Sequence, residues 1–149
     1  MRFEEISQHL SQRGVYSAQL RDGILRISNL ENASEYILEA FEQSVQIRQA
    51  VWFDCHELPE EDLDRVYVLC SMMNERFSGC KSYVDQWGAL ITGADILSQA
   101  VAIDFIETVL GQVEFVSQAM LGLVETLRLE RRFITRKEVD SALDVPPLQ

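Results

Sequence analysis

The run from Ala100 to Leu129 constrains this chain more than any other part of it. Ile106, Leu110, Val113, Met120, Val124 and Leu127 form one line at helical spacing, and Phe105, Val109, Val116 and Leu123 form an adjacent one. Asp104, Glu107, Gly111, Glu114, Gln118 and Glu125 share one narrow stripe. A helix lying on a single sheet shows an apolar arc of somewhat over about 100°, and this arc is wider. Each of the ten large side chains contributes about 1.5–3 kcal/mol when fully buried, so the pattern predicts two burial partners. One is the helix's own sheet; the other is an N-terminal helix, a second copy of the chain or a client protein. Acidic residues interrupt the run, and nowhere does the chain hold the roughly 18 consecutive apolar residues that a membrane span needs.

The remaining periodicities supply the sheet. Phe3, Ile6 and Leu10 predict a short helix over 2–13, with Gly14 as its C-terminal cap. Val15–Leu20 and Ile24–Ser28 flank Asp22-Gly23, where glycine supplies the positive φ of a tight primed turn. Tyr36–Phe41 and Val45–Phe53 are strands reversing at Glu42-Gln43-Ser44. Val45, Ile47, Val51 and Phe53 face one way, with Gln46, Arg48 and Asp54 opposite. Trp52 falls on the polar face, either under a helix or offered to a partner. Pro59, Glu60, Glu61 and Asp62 then suit the positive end of a helix dipole. The stripe of that helix is Leu63, Val66, Tyr67, Cys70, Met73 and Phe77, and Ser78-Gly79 stops it. Lys81–Asp85 and Ala89–Ile96 form a second hairpin around Gln86-Trp87-Gly88.

The resulting class is α+β: an antiparallel sheet with helices packed on it, in the order α-β-β-β-β-α-β-β-α. At 149 residues the chain has the length of one ordinary domain, here assigned to residues 1–129. Residues 130–149 read as a short polar C-terminal extension. Within it, Thr135-Arg-Lys-Glu138 has the form of a capping box ahead of Val139 and Leu143, and residues 144–149 read as a frayed end.

Charge narrows the function. The net charge is −11, a sign that opposes attraction to nucleic acid or anionic lipid. Residues 31–80 hold eleven acidic and three basic side chains, whereas Arg128, Arg131, Arg132, Arg136 and Lys137 form a basic cluster near the end. That cluster reads as a solvated helix C-terminus; docking on the acidic face of a partner or a second copy is the functional alternative. The first residues lack a secretory apolar stretch, and the three cysteines (Cys55, Cys70, Cys80) include no Cys-x-x-Cys pair. Together these predict a cytoplasmic setting with thiols used as small hydrophobes.

No phosphate-binding glycine loop, nucleophile elbow or zinc-binding His-Glu-x-x-His occurs in the sequence. Cys55-His56 places a thiol beside an imidazole. Neighbours on an extended strand point to opposite faces, however, so Cys55 reads as a buried thiol and His56 as a surface residue. His9 reads as a helix-surface residue. With two histidines in the chain, no metal or other cofactor is expected. Met72-Met73 reads as core packing. Trp87, at a hairpin tip, has little to pack on within the chain.

The run Asn74-Glu-Arg-Phe77-Ser-Gly-Cys-Lys-Ser-Tyr83-Val-Asp85-Gln-Trp-Gly88-Ala-Leu90 resembles the bacterial YbjN-type proteins. In these a helix ends in an Asn-containing segment and a Phe, and the next strand carries an aromatic and ends at an acidic turn with Gly. Asn74, Phe77, Tyr83, Asp85, Gly88 and Leu90 carry the likeness; Gln86-Trp87 departs from it, and the arginine-rich tail lies outside it. The resemblance implies the fold shared with type III secretion chaperones, which are small, acidic, often dimeric proteins that hold client segments on their surface. YbjN-type proteins themselves are associated with regulatory or stress-related roles.

These readings combine into one expectation: a non-catalytic protein-binding domain, chaperone-like or regulatory, acting on a protein partner or client as a homodimer. Trp52, Trp87, Val116, Met120 and Leu123 are its expected interface residues. The alternative is a small-molecule or peptide-binding regulator, or a cryptic enzyme, with a pocket near Cys55, His56 and Trp52.

Overall fold

A computed structural model describes residues 3–12, 15–29, 34–97 and 103–143. The expected cap Gly14, the start of the long helix at 100–102 and the frayed end at 144–149 lie outside the described residues. The elements are α1 (Phe3–Gln12), β1 (Val15–Arg21), β2 (Ile24–Asn29), β3 (Glu35–Ala40), β4 (Ser44–Trp52), a 3₁₀ turn (Cys55–Glu57), α2 (Glu60–Arg76), β5 (Lys81–Val84), β6 (Leu90–Leu97), α3 (Ile103–Glu130) and α4 (Arg136–Leu143). The strands form one antiparallel sheet in the order β1-β2-β3-β4-β6-β5. The expected α+β order is therefore present, with α4 added. The chain divides into two compact units, each discontinuous in sequence: residues 1–49 with 93–114, and 50–92 with 115–149.

In the first unit the period-two alternation of the strands builds the core. Leu25 pairs with Leu38 and Leu38 with Ile47, so three strands present an apolar row. Ile27 and Tyr36 form the next. Ile6 and Leu10 of α1, and Ile106, Val109, Leu110 and Val113 of α3, are buried with them. On the other side Arg48 donates to Glu39 at 2.8 Å and to Gln46 at 2.9 Å, and Gln46 donates to Asp95 at 3.0 Å. Gly93 lies where a Cβ would come within 3.1 Å of the Ile47 carbonyl, so β6 approaches β4 closely through a glycine. The β1–β2 turn departs from the primed form expected of it. Only Gly23 (φ +80°) has positive φ, and a register shift between Gln19 and Arg21 bulges the strand instead.

In the second unit α2 buries Asp62, Val66, Leu69, Cys70 and Met73. Tyr67 is exposed and Leu69 replaces it inside, a rotation of the expected stripe by part of a turn. Phe53 is also corrected: β4 ends at Trp52, Asp54 adopts left-handed φ 62°, and the alternation that would have turned Phe53 inward no longer applies. The C-terminal extension is more than a polar tail. Thr135 N–H donates to Glu138 Oε1 at 3.1 Å, and Glu138 N–H donates to Thr135 Oγ1 at 3.2 Å, the reciprocal capping box. Arg132 grips both oxygens of Glu138 at 2.7 and 2.9 Å. The helix so started buries Val139 and Leu143.

Candidate functional site

Nine of the ten apolar side chains assigned to α3 are buried within this chain; Phe105 alone is exposed. Val116, Met120 and Leu123 are buried within this chain, and Leu123 also lines a groove on the same helix. Glu114, on the narrow polar stripe of α3, is not alone. It accepts hydrogen bonds from Tyr36 (2.5 Å), Ser34 (2.9 Å) and Gln49 (3.2 Å), a partly buried network in the first unit. Burial and the Glu114 carboxylate push the Tyr36 hydroxyl above its ordinary pKa.

What α3 does present in the second unit is a shallow groove of about 400 Å³, lined by Phe115, Gln118, Ala119, Gly122, Leu123 and Thr126 with Ala142 of α4. A Cβ on Gly122 would meet nothing within 4 Å. Phe115 is exposed and Leu129 more so.

Of the two tryptophans, Trp52 is half-buried and covered: Arg128 of α3 lies over its ring, 4.5 Å from the centroid. Trp87 is 78% exposed at the tip of the β5–β6 hairpin. The residues carrying the family likeness build this hairpin. Asp85 Oδ1 accepts the N–H groups of Trp87 and Ala89, each at 2.9 Å, and Gly88 turns at φ +86°. Asn74, near the end of α2, donates from Nδ2 to the Ser82 carbonyl at 2.9 Å and accepts the Ser82 N–H on Oδ1 at 2.6 Å. Its carboxamide occupies the hydrogen-bonding groups that a further strand beside β5 would use. The sequence marked Asn74 as part of a likeness and was silent on this role.

Cys55 and His56 diverge. The thiol is buried, and desolvation raises its pKa; the imidazole is exposed, with Gly88 packed against its ring. Burial likewise pushes Cys70 up to about 12 and Cys80 up to about 11. A raised pKa withholds the thiolate that nucleophilic chemistry needs. Among the described residues no cluster of His, Cys, Asp and Glu could hold a metal ion, and no helix is long and apolar enough to cross a membrane. Within the basic cluster Arg132 pairs with Glu130 and Glu138, and Arg136 with Glu75 at 3.4 Å. Arg76 joins α2 to Asp140 of α4 at 2.6 Å.

The α+β fold is YbjN-type and type III secretion chaperone-like. Solved structures show it directly. A chain of the heterodimeric ExoU–SpcU complex from the type III secretion system of Pseudomonas aeruginosa superposes with a TM-score of 0.59 at 18% identity, covering 78% of this chain and 95% of that one. A chain of the ExsC–ExsE complex does so at 0.63 and 13%, covering 81% and 91%. YbjN from E. coli, a candidate transcription regulator, does so at 0.60 and 11%, covering 91% and 97%. The sequence matches no protein-family model and no curated protein.

Proposed function

We propose that this chain is a non-catalytic protein-binding domain, chaperone-like or regulatory, which associates as a homodimer in a reducing cytoplasm. The observation that carries this reading is the α3–α4 groove around Gly122. Glycine inside a helix costs about 1 kcal/mol relative to alanine, and nothing within 4 Å inside the chain makes use of the missing Cβ. Close approach by a backbone from outside would use it. Phe115 and Leu129 supply exposed apolar surface on the same helix, and a second copy of α3 is a self-complementary occupant.

The fold supports the reading, since two of the structures that share it are complexes of two proteins. The buried, hard-to-ionise thiols oppose the alternative of chemistry at Cys55. The net charge of −11 favours protein over nucleic-acid partners. Sedimentation equilibrium across the micromolar range is the test: a dimer is expected, and a monomer at every concentration refutes the homodimer.

A further inference from the structure

Two aromatic rings of the second unit carry an arginine from their own chain: Arg128 over Trp52 at 4.5 Å, and Arg65 over Phe133 at 5.6 Å. At the β5–β6 hairpin the same receptor chemistry stands exposed. Trp87 is 78% accessible and Phe53 67%. The Cys55 N–H donates to the Gly88 carbonyl at 2.8 Å, which ties the segment just after Phe53 to the turn that carries Trp87. A Cβ on Gly88 would lie 3.1 Å from the His56 ring, so the two loops are in contact. Asp54 and Glu57 are exposed beside them, and the Asp85 carboxylate holds the turn. Residues 49–64 contain Asp54, Glu57, Glu60, Glu61, Asp62 and Asp64 with no lysine or arginine, and residues 82–88 contain none either.

We infer that this tip is a docking site for an arginine-bearing segment of a protein partner. The guanidinium stacks on Trp87 or Phe53, while Asp54 and Glu57 balance its charge. Arginine fits better than lysine, because its planar, weakly hydrated head stacks on an indole face without giving up a tight water shell. Within this chain Arg128, Arg132 and Arg136 already meet Trp52, Glu138 and Glu75. The inference rests on the protein-binding reading and adds the chemistry of the partner.

The test uses the full chain carrying Trp52→Phe, which leaves Trp87 as its one tryptophan, and follows its emission during titration with acetylated tetra-arginine amide. A saturable change is expected, with tetra-lysine amide binding about threefold or more weakly. Asp54→Asn together with Glu57→Gln weakens the response further; asparagine is the suitable replacement at φ 62° because it tolerates the left-handed region. Calorimetry on the natural chain against Trp87→Ala repeats the measurement should Trp52→Phe disturb the fold, and loss of binding is expected. Equal response to the two peptides, or binding indifferent to Trp87 and to the two carboxylates, overturns the inference. If a dimer sediments as proposed while the peptides ignore the tip, the inference falls and the wider reading stands.

Discussion

Replacing Gly122 with alanine separates the helix from the interface. Residue 122 lies well inside α3, and beyond the backbone of its own helix turn the added methyl meets nothing within 4 Å. The bond from Thr126 Oγ1 to the Gly122 carbonyl, 3.1 Å, is untouched. In an isolated chain the whole effect is therefore backbone entropy and helix propensity, a gain of about 0.8–1 kcal/mol. For a chain of this size that raises Tm by about 2–4 °C. In a dimer packed through the groove, the methyl instead meets the partner, and overpacking costs about 1–3 kcal/mol, or about fivefold to a hundredfold in association. Thermal melts at several protein concentrations read both terms. Tm of the natural chain should climb with concentration, whereas Gly122→Ala should start higher and stay flat. An equal gain at every concentration would show that this face meets only water and would refute the interface argument. A lower Tm at high dilution would refute the reading of Gly122 as spare space.

Three further outcomes follow from the geometry. Asn74→Ala leaves the Ser82 N–H and carbonyl without their partner; we expect a loss of about 1–3 kcal/mol in urea unfolding, with concentration-dependent self-association as the β5 edge opens. Native protein at pH 8 should react slowly with a thiol reagent at Cys55, Cys70 and Cys80, and all three should react at once in denaturant; fast native labelling of Cys55 would contradict its raised pKa. Arg132 and the Thr135 N–H hold the Glu138 carboxyl down, from the usual 4.5 to about 2. A depressed folded-state pKa stabilises above the unfolded value and ceases to as pH falls. The hold on α4 should therefore weaken between pH 4.5 and 2, and the carboxyl shift of Glu138 in NMR should titrate at higher pH, back toward 4.5, once Arg132 is replaced by Gln.

Local signals were legible where the chemistry is local. Thr135 and Glu138 are three residues apart and cap each other as their spacing says; Gly23 turns a hairpin because no other residue takes that φ as cheaply. Helix stripes were legible only to within part of a turn. Each residue rotates the helix by about 100°, so neighbouring stripes on α2 differ by one choice, and packing put Leu69 rather than Tyr67 inside. The β4 alternation failed at Phe53 because a strand's period says nothing about where the strand ends. The eight residues of α4 look polar when counted, and the helix is amphipathic only once Val139 and Leu143 are seen buried on one side. The Asn74 clasp had no signal at all, since it depends on a helix end meeting a strand eight residues later in three dimensions.

The clasp has a consequence for assembly. In the order β1-β2-β3-β4-β6-β5 one rim of the sheet is sealed by a side-chain amide, and the opposite rim, β1, has no strand beyond it among the described residues. A ribbon with two open rims stacks end to end without limit, as fibres do; one with a single open rim joins once and stops. Two carboxamide bonds thereby take the backbone groups of Ser82 out of strand pairing between copies at that rim.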